Sequence, residues 1–449
     1  MSQTNLYKLI ESATGLAHDS RKVQKGFVFF AIKGTKYDGH DHIEQAIKAG
    51  AIAVVGERDL SLSVPHICST NIRHDLAIAA AKFYPTKLEN IVAVTGTNGK
   101  TSTADFTRQL WEMSGKVASS VGTLGLIHDG VTESFGADNT SPDPLVLHEK
   151  LAPLTGNLVI EASSIGLEQH RLDGLNISAG AFTNFTQDHL DYHGSMKEYF
   201  RTKTLLFNQV MKNGIAVLNK NIPEFEELQK ICKNHKIISF GQNADLQLLH
   251  STPHADGQEI ELKLFGKKST HNVHLIGGFQ LENILASLGL TQIYDADLSR
   301  LKTVEGRMQF AANGVYVDYA HTPDALENAL KSLRPHTTGK LHVVFGCGGD
   351  RDKGKRPQMG KIAADLADCV YVTDDNPRTE NADEIRAQII AAAPNAKEIS
   401  DRKKAIEAAL NTRGKDDIVL IAGKGHEKYQ IIGNIKHYFD DIAVVKELN

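Results

Sequence analysis

The chain has 449 residues, which is too many for one ordinary hydrophobic core and predicts about three domains. Its 50 basic and 54 acidic residues nearly balance, which argues against nucleic acid or an acidic membrane surface as the main partner. The sequence has no run of about 18 apolar residues, as a membrane span requires, and its four cysteines form no CxxC pair. We therefore expect a soluble cytoplasmic protein.

Residues 1–88 predict a small α/β unit in which short strands alternate with helices. The strand candidates are GFVFFAIKG, AIAVVGE and VPHICS, and the helix candidates are HIEQAIKAGA and DLAIAAAKFY. The polar, proline-containing stretch YPTKLEN follows them and predicts a domain boundary.

Residues 89–297 predict a second α/β unit that opens with a strand, a glycine-rich turn and a helix. Ile91 to Val94 are apolar and mostly β-branched, which is typical of a buried strand. Apolar residues then recur at helical spacing, namely Ala104, Phe106, Leu110 and Met113. The strand candidates NLVIEAS, AGAFTNF, GIAVLN and KIISFG follow with helix-length segments between them, as in a parallel sheet. A polar, β-rich passage and a helix from about Leu281 to Leu290 complete the unit.

The turn GTNGKT, at residues 96–101, resembles a phosphate-binding loop. It is shorter than the standard pattern, which would need a glycine where Val94 stands. Backbone N–H groups at the start of a helix bind anions, so we expect Lys100 to contact the terminal phosphates of a nucleotide and the Thr101 hydroxyl to hold Mg²⁺. The ATP-binding residues predicted in this segment are Gly96, Thr97, Asn98, Gly99, Lys100, Thr101 and Ser102.

Oxygen ligands that a magnesium ion prefers follow two later strands. Glu161 comes directly after the apolar strand in NLVIEAS, where it would be exposed at the sheet edge beside the loop. The segment TNFTQDHLDYHGSMKEYFRTKTLLF then contains Asp188, His189 and Lys203. Because the chain has 20 histidines, the residues alone leave His189 open between a functional role and an ordinary surface or core position.

Residues 298–449 predict a third unit whose four strand candidates are GVYVDYAH, KLHVVFGCGG, DCVYVTDDNP and DIVLIAGKGHE. Each strand runs straight into a polar or glycine-rich segment, namely Asp318–Asp324, Gly346–Arg356, Asp374–Glu380 and Gly423–Tyr429. Ligands bind beyond the carboxyl ends of the strands in open α/β sheets, so the four segments predict one shared crevice. The alternative interpretation is that they are ordinary polar turns.

These segments together resemble the Mur ligase family. The resemblance rests on GTNGKT, DNTSPDP, EASSIGLEQHR, TNFTQDHLDYHGSMKEYFRTK, VEGRMQ, VDYAHTPDAL, FGCGGDRDKGKRPQMG, TDDNPRTE and AGKGHEKYQ, and it covers nearly all of the chain. The shortened phosphate loop is itself typical of that family. The resemblance implies an α/β protein with three domains: a UDP-sugar-binding domain (1–88), a central P-loop-type ATPase domain with a parallel sheet (89–297), and a C-terminal Rossmann-like domain that binds an amino acid (298–449).

The resemblance, with GCGGDRDKGKRP and DDNPR its most specific motifs, implies an ATP-dependent amide ligase of peptidoglycan precursor synthesis. ATP would phosphorylate the side-chain carboxylate of D-glutamate in UDP-N-acetylmuramoyl-L-alanyl-D-glutamate. An amine of meso-2,6-diaminopimelate would then displace the phosphate. The acyl phosphate intermediate divides one difficult step into two easier ones.

The same resemblance implies roles for residues around the phosphate loop. Catalytic roles carry over by position to Lys100, Glu161, His189 and Lys203. Mg²⁺ would be held by Thr101, Glu161 and His189, together with a CO₂-derived carbamate on Lys203. Further ATP contacts are implied at Asn283, Arg307, Asp318 and His321. Because Arg307 and the last two belong to the third domain, we expect the domains to close before reaction.

The remaining implied contacts concern the other two substrates. Those to the UDP-sugar are Ser20, Thr35, Lys36, Tyr37, Asn139, Thr140, Ser141, Ser163, Gln169 and Arg171. Those to diaminopimelate are Arg351, Asp375, Asn376, Pro377, Arg378, Gly423 and Glu427. Arg378 would pair with the distal carboxylate of diaminopimelate and Glu427 with its distal ammonium group, which would select against L-lysine.

Three residues depart from the family pattern. His18 stands where relatives often have leucine, Ile165 where many have histidine, and Gln280 where asparagine is usual. The first concerns packing around uracil, the second weakens any catalytic role at that position, and the third concerns a contact near ATP.

Alternative functions are the same ligase acting on L-lysine, or another amide ligase of the superfamily. A non-catalytic nucleotide-binding regulator is an alternative of a different class. Such a regulator should have lost Lys100, Glu161 or Lys203, and the sequence retains all three. We expect a monomer that binds small-molecule substrates, with no nucleic-acid partner and no membrane span.

Overall fold

A computed structural model describes residues 3–34, 37–136, 139–254 and 257–449. These residues form three α/β units, each built around its own sheet, and a two-stranded hairpin near the C-terminus. The predicted α/β class with three domains is therefore confirmed. Within the described residues, no helix has the length and apolar character that crossing a lipid bilayer requires.

The N-terminal unit is a small parallel sheet flanked by helices. Its strands are β1 (Gly15–Ala17), β2 (Phe27–Phe30), β3 (Ala53–Gly56) and β4 (His66–Cys68), and its helices are α1 (Gln3–Ser12), α2 (Ile43–Lys48) and α3 (Ile72–Phe83). The strands lie side by side in chain order. Successive residues of β2 point to opposite faces, so Val28 and Phe30 join one core and Phe29 the other.

The central unit contains an eleven-stranded sheet. Its strands are β5 (Lys87–Thr95), β6 (Ala118–Gly122), β7 (Gly125–His128), β8 (Val131–Glu133), β9 (Thr155–Glu161), β10 (Ile177–Phe182), β11 (Ile215–Asn219), β12 (Lys236–Phe240), β13 (Leu246–His254), β14 (Gly257–Leu264) and β15 (Lys267–Val273). Its helices are α4 (Lys100–Met113), α5 (Pro144–Leu151), α6 (Ser164–Glu168), α7 (Leu190–His193), α8 (Met196–Leu205), α9 (Phe225–Ile231) and α10 (Gly278–Thr291).

The strand order of this sheet is β15-β14-β13-β12-β11-β10-β5-β9-β6-β7-β8. The six strands from β12 to β6 are parallel, as predicted, and antiparallel pairs extend the sheet on both sides. The predicted strand from Ile91 to Val94 lies in β5, at the centre of the sheet and buried. Phe106, Leu110 and Trp111 of α4 pack in the core beside it. Because β5 lies near the centre of the sheet, the phosphate-loop segment that follows it lies in the middle of one sheet edge.

The C-terminal unit has a second, mostly parallel sheet. Its strands are β16 (Gln309–Ala312), β17 (Val315–Asp318), β18 (Leu341–Phe345), β19 (Cys369–Val372), β20 (Lys397–Glu398) and β21 (Ile418–Ala422), followed by the hairpin strands β22 (Tyr429–Ile432) and β23 (Ile435–Tyr438). Its helices are α11 (Pro323–Leu333), α12 (Lys355–Leu366), α13 (Ala382–Ile390), α14 (Arg402–Thr412) and α15 (Asp441–Leu448). The strand order is β16-β17-β21-β18-β19-β20, and only β16 is antiparallel to its neighbour.

The unit boundaries differ by a few residues from those expected. The central strand β5 already begins at Lys87, inside the range 1–88 assigned to the first unit. Leu298, Leu301 and Val304 bury their side chains in the core of the central unit, although the third unit was expected to begin at residue 298. These apolar side chains leave water by packing on the preceding sheet, so the C-terminal sheet starts only at Gln309.

A fully buried ion pair joins helices α14 and α15 of the C-terminal unit. Arg402, at the start of α14, donates from Nε and Nη2 to the two carboxylate oxygens of Asp441 at 2.8 Å each. Arg402 also donates to the Ala422 carbonyl oxygen at 3.0 Å, at the end of β21. Neither charged side chain is exposed to solvent.

We predict that Asp441→Ala lowers the free energy of unfolding of the C-terminal unit by about 3–5 kcal/mol, because it leaves the Arg402 guanidinium buried and unpaired. The measurement is urea unfolding of the full chain, followed by circular dichroism. Lys403→Ala is the matched control, since Lys403 pairs with Glu447 between the same two helices but at the surface. Its expected cost is below about 1 kcal/mol. Equal costs for the two variants would contradict the prediction.

Candidate functional site

A cavity of about 860 Å³ lies between the carboxyl ends of the central and C-terminal parallel strands. Thr97 to Thr101 line it from one side, and the segments that follow β17, β18, β19 and β21 line it from the other. The predicted shared crevice of the third unit is thus confirmed, and it opens directly onto the phosphate-loop segment. Hydrogen bonds join the two units here, among them those from Asn98 Nδ2 to Asp324 Oδ2 (2.7 Å), from Arg307 Nη2 to Thr101 Oγ1 (3.1 Å) and from Gln187 Nε2 to Asp352 Oδ2 (3.1 Å).

The phosphate-loop segment has the backbone shape that anion binding needs. Gly96 has φ +141° and Gly99 has φ +81°, a region that side chains disfavour. A Cβ at Gly96 would also overlap Thr183 Oγ1. Helix α4 begins at Lys100, so its free backbone N–H groups face the cavity. The Lys100 Nζ donates to the carbonyl oxygens of Gly96 (2.9 Å) and Thr97 (2.6 Å), and burial lowers the pKa of its ammonium group.

Glu161 lies beside this loop, as the sequence predicted, but its side chain is buried and only 1% exposed. Its Oε1 accepts a hydrogen bond from the Thr123 backbone N–H at 2.8 Å. Its Oε2 accepts hydrogen bonds from the hydroxyls of Thr101 and Thr123, both at 3.2 Å. The Thr101 hydroxyl therefore connects Glu161 with Arg307 of the C-terminal unit.

Lys203, on α8, is brought to the same loop. Its side chain is 1% exposed, and its Nζ donates to the Gly96 carbonyl oxygen at 2.6 Å. The Tyr199 ring lies 4.3 Å from that nitrogen. Burial, together with the charge of Lys100, lowers the pKa of the Lys203 amine well below its usual value. The amine is therefore poised to be neutral, the form that reacts with electrophiles.

His189 and Asp188 lie next to each other on the cavity wall. His189 adopts φ +52°, and its Nε2 is 3.4 Å from Asp188 Oδ2. Burial lowers the pKa of the His189 imidazole, which keeps it neutral and able to act as a ligand. Burial alone would raise the pKa of the Asp188 carboxyl, but electrostatic interactions with His189, His321 and Lys355 hold that pKa below its usual value.

The chemistry of these donors fits a magnesium ion. Thr101 offers a hydroxyl, Glu161 and Asp188 offer carboxylate oxygens, and Mg²⁺ prefers such oxygen ligands together with phosphate oxygens. A carbamate on Lys203 would add another anionic oxygen donor on the same wall. His189 offers a nitrogen, which is a less usual magnesium ligand. Its side chain lies beside the carboxylate of Asp188.

The wall of the cavity that the C-terminal unit forms carries the residues expected to bind the amino acid. Arg378 has φ +51°, and its Nη1 donates to the Gly349 carbonyl oxygen at 2.8 Å. Glu427 Oε2 accepts hydrogen bonds from Asn376 Nδ2 (2.9 Å) and from Lys424 Nζ (3.3 Å). Burial and the nearby Asp375 carboxylate raise the pKa of the Glu427 carboxyl. Of the expected residues, those that line the cavity are Arg351, Asp375, Asn376, Arg378, Gly423 and Glu427.

The residues outside the phosphate loop that were expected to contact ATP divide into two groups. Arg307 and His321 line the cavity, and the Arg307 guanidinium stacks on the Tyr319 ring at 4.5 Å. Asp318 is not on the cavity wall, because its carboxylate accepts hydrogen bonds from the backbone N–H groups of Met308 (2.6 Å) and Ala320 (2.8 Å).

Asn283 also lies behind the loop rather than on the wall. A Cβ at Gly99 would overlap Asn283 Oδ1, which shows how closely α10 approaches the loop. Gln280, one of the departures from the family pattern, accepts a hydrogen bond from Asn283 Nδ2 at 3.2 Å. In this structure Asn283 and Gln280 therefore support the loop from behind.

The residues expected to bind the UDP-sugar are spread between the cavity and the N-terminal unit. Asn139, Thr140, Ser163 and Arg171 line the cavity. Ser141 and Gln169 support them, since Arg171 donates to the Ser141 carbonyl oxygen and to Gln169 Oε1 at 2.7 Å each.

Other expected UDP-sugar contacts are outside the cavity. Ser20 donates to Gln45 Oε1 at 3.0 Å inside the N-terminal unit, and Tyr37 is 77% exposed. Thr35 and Lys36 lie outside the described residues. The departure at His18 forms an ion pair with Asp143 at 3.0 Å, which joins the N-terminal and central units.

Several cavity residues had no role assigned from the sequence. Lys355, in the DKGKRP motif, donates to the His321 carbonyl oxygen at 2.9 Å, and His426 faces the Tyr319 ring at 5.1 Å. Their polar motifs predicted that these residues lie in loops, but the motifs did not predict the direction of each side chain. Thr123, which holds Glu161, lies in VGTLG and gave no sequence signal. Ile165, the third departure from the family pattern, also lines the cavity.

Family models match most of the chain. Residues 12–90 match the model described as "Mur ligase family, catalytic domain", residues 94–291 match "Mur ligase middle domain", and residues 306–425 match "Mur ligase, glutamate ligase domain".

The chain is also similar to named proteins over nearly its whole length. It is 46% identical to the UDP-N-acetylmuramoyl-L-alanyl-D-glutamate–2,6-diaminopimelate ligase of Zymomonas mobilis, covering 96% of this chain and 94% of that protein. It is 44% identical to the ligase of the same name from Caulobacter vibrioides, with the same coverage. A solved structure with that name superposes with a TM-score of 0.69 at 33% identity, covering 97% of this chain and 94% of the other. MurF ligase from Thermotoga maritima in complex with ADP gives a TM-score of 0.68 at 22% identity, covering 100% and 98%, which shows a shared fold.

One buried arginine fixes the segment that carries Arg351. Arg356 donates to both carboxylate oxygens of Glu380, at 2.9 and 3.1 Å, and the Asp350 backbone N–H donates to Glu380 Oε1 at 2.6 Å. Arg356 holds the pKa of the Glu380 carboxyl at about 2, below its ordinary value of 4.5. The ionised carboxylate therefore stabilises the fold fully above about pH 4.5, and this stability is lost as the pH falls towards 2.

We predict that Glu380→Gln lowers the free energy of unfolding at pH 6–7 and that its difference from the parent protein shrinks as the pH falls from about 5 to 3. Urea unfolding at a series of pH values measures this difference. Glu407→Gln, at an exposed position of α14, is the control and should show a difference that does not change with pH. A Glu380→Gln effect that is equally large at pH 3 and pH 7 would refute the prediction.

Proposed function

Because the chain belongs to the Mur ligase family, we propose that it joins meso-2,6-diaminopimelate to UDP-N-acetylmuramoyl-L-alanyl-D-glutamate in an ATP-dependent reaction that releases ADP and phosphate. The observation that supports this function best is that one cavity is lined by the phosphate loop of the central unit and by Arg378 and Glu427 of the C-terminal unit. The two relatives with this ligase name share 44–46% of their residues with this chain.

In the first step, an oxygen of the D-glutamate side-chain carboxylate attacks the γ-phosphorus of ATP, the bond to the β-phosphate oxygen breaks, and ADP leaves. The N–H groups at the start of α4 and the ammonium group of Lys100 bind the phosphates. Arg307 reaches Thr101 from the C-terminal unit and brings a second cation to the same place. Two anions must approach each other here, and the cationic side chains reduce their repulsion.

Mg²⁺, when bound, adds positive charge between the two anions. We propose that Thr101 and Glu161 hold one ion and that His189 and a carbamate on Lys203 hold a second. Carbamate formation joins the Lys203 nitrogen to the carbon of CO₂ and releases a proton. It requires a neutral amine, and burial of Lys203 beside Lys100 favours that form.

In the second step, an amine nitrogen of diaminopimelate attacks the acyl carbon, the carbon–oxygen bond to phosphate breaks, and the amine loses a proton. We propose that Arg378 pairs with the distal carboxylate of the amino acid and Glu427 with the distal ammonium group. Asp375, Asn376 and Arg351 complete this end of the cavity. L-Lysine has no distal carboxylate, so binding it would leave the Arg378 guanidinium without that partner.

We further propose that the UDP-sugar lies across the N-terminal and central units, with Arg171 near its charged groups, and that the protein acts as a monomer in the cytoplasm. The bidentate guanidinium of Arg171 suits a pyrophosphate or carboxylate. Its present partners are a carbonyl oxygen and an amide oxygen, Ser141 O and Gln169 Oε1, so it can also pair with an anion.

The second candidate function is the same reaction with L-lysine. Arg378 and Glu427 both line the cavity, and this favours diaminopimelate. The distal amine of L-lysine would need only the Glu427 carboxylate as a partner. A ligase that adds D-alanyl-D-alanine remains a third outcome of the substrate comparison described below.

We predict that Lys203 carries a carbamate at about pH 8 in the presence of ¹³C-bicarbonate, seen as a carbamate resonance in the ¹³C NMR spectrum of the full chain. The buried amine is neutral where exposed lysines are still charged, so the modification should be selective for it. Lys203→Arg should abolish the resonance, whereas Lys87→Arg, at an exposed lysine, should leave it unchanged. An unchanged spectrum in Lys203→Arg would exclude this site.

We predict that Arg378→Ala lowers kcat/KM for meso-diaminopimelate by about 100-fold or more, because it removes a charge partner worth several kcal/mol in a closed site. The KM for ATP should change by less than about threefold, since the Arg378 side chain contacts the Gly349 carbonyl oxygen of its own unit rather than the phosphate loop. The assay is phosphate release from ATP with UDP-N-acetylmuramoyl-L-alanyl-D-glutamate, comparing meso-diaminopimelate, L-lysine and D-alanyl-D-alanine.

The matched control for this assay is Arg413→Ala, which removes a half-buried arginine of the same unit that contacts the Asn313 carbonyl oxygen and does not line the cavity. It should leave all three amine activities unchanged. Equal use of diaminopimelate by Arg378→Ala and the parent protein would remove the proposed specificity. Activity with D-alanyl-D-alanine alone would overturn the proposed function.

A further inference from the structure

A cluster of two histidines and one aspartate lies where the N-terminal unit meets the central unit, and none of the three lines the catalytic cavity. His74 comes from the first turn of α3, and His170 and Asp173 come from the turn that follows α6. One carboxylate oxygen, Asp173 Oδ2, is 2.6 Å from His74 Nδ1 and 2.8 Å from His170 Nδ1. One donor atom from each residue lies within 4.8 Å of the other two.

The carboxylate in this cluster is buried. Asp173 is only 5% exposed; burial alone would raise the pKa of its carboxyl, but the contacts with His170 and His74 hold that pKa below its usual value. The ion pairs of Asp173 among the described residues are with His74 and His170, which are charged only if protonated. Its second oxygen, Oδ1, is buried and has no hydrogen-bond partner among those residues. A buried carboxylate of this kind is stabilised by a cation that binds both it and the imidazoles.

A fourth donor lies next to the cluster. Gln209 Nε2 is 3.0 Å from His170 Nδ1, so rotation of that side-chain amide would present its oxygen at the same place. His170 itself adopts φ +56°, and that backbone shape turns its ring towards the N-terminal unit. The His74 side chain is 35% exposed and that of His170 is 19% exposed, so an ion can reach the cluster from solvent.

From this arrangement we propose that His74, His170 and Asp173 form a binding site for a divalent transition-metal ion such as Zn²⁺. Two imidazole nitrogens and one carboxylate oxygen are ligands that Zn²⁺ and its neighbours prefer, whereas Mg²⁺ prefers oxygen ligands alone. Water or the Gln209 amide oxygen completes a tetrahedral set. The nitrogen–oxygen separations have hydrogen-bond lengths and must open by about 0.5 Å to accept an ion at ordinary ligand distances.

Metal binding also requires a hydrogen to move on His170. Asn71 Nδ2 lies 3.1 Å from His170 Nε2 and can donate to it, which places the imidazole hydrogen on Nδ1, facing Asp173. Ligation through Nδ1 shifts that hydrogen to Nε2 and turns the Asn71 amide. The ion then joins α3 to the turn that carries Gln169 and Arg171, so it fixes the N-terminal unit against the central one.

The test is a Co²⁺ titration of the untagged full chain after chelator treatment, with excess Mg²⁺ present to occupy the oxygen sites of the cavity. Imidazole-bound Co²⁺ in a tetrahedral site gives a strong visible absorption band, and Zn²⁺ should displace it. We expect one equivalent per chain in the parent protein. His74→Ala should weaken Co²⁺ binding at least about 10-fold and remove the tetrahedral band.

Two further variants keep the outcome interpretable. Asp173→Asn removes the carboxylate, and its circular dichroism spectrum checks that the fold is retained. His128→Gln, at a surface histidine that faces Glu133 and Asp129, is the matched control and should bind Co²⁺ like the parent protein. Absence of a one-equivalent site in the parent, or equal binding by His74→Ala, would overturn the proposal and leave the cluster as a hydrogen-bonded contact between units. Neither result depends on the ligase reaction.

Discussion

A buried lysine side chain and a partly buried one share one acceptor at the centre of this protein. Lys203 and Lys100 both donate to the Gly96 carbonyl oxygen, over 2.6 and 2.9 Å. Burial, together with the like charge of Lys100, lowers the pKa of the Lys203 amine. The contact that holds the phosphate loop in shape therefore also places Lys203 beside Lys100. Phosphate binding and the proposed carbamate thus depend on one carbonyl group.

The position of that carbonyl follows from the arrangement of the two sheets. Parallel strands present their carboxyl ends at one edge, and the central and C-terminal sheets turn those edges towards each other. Loops from both sheets therefore meet in one cavity, although they are far apart in sequence. Arg307 contacts Thr101 across this gap, and Asn98 contacts Asp324. The reacting groups of three substrates can meet only because neither sheet edge is covered by its own unit.

Sequence patterns predicted the parts of this arrangement that depend on local periodicity. The buried strand at Ile91 to Val94 and the following helix were correct because a short apolar run and apolar residues at helical spacing are direct consequences of packing. The four polar segments of the third unit could be assigned to one edge because parallel strands allow no other arrangement. The unit boundaries were less accurate, since Leu298 and Leu301 were assigned to the third unit, whereas their side chains pack in the central core.

The orientation of single side chains could not be read from the sequence. Asp318 follows a strand at the ligand edge, yet its carboxylate turns inward to two backbone N–H groups. Thr123 holds Glu161 from a segment with no recognisable motif, and Asp173 pairs with His74 from 99 residues away. Such contacts depend on how segments distant in sequence pack together, within one unit or between two. Local patterns carry no information about that packing, so these contacts emerge only from the structure.

The contact between Asn98 and Asp324 has a consequence for how this protein could be blocked. It joins the side chain of a phosphate-loop residue to the first turn of α11, outside the lining of the cavity. This contact must break whenever the two sheets move apart. A compound that wedges behind α11 and keeps Asp324 against Asn98 would therefore inhibit by preventing that movement while resembling none of the three substrates.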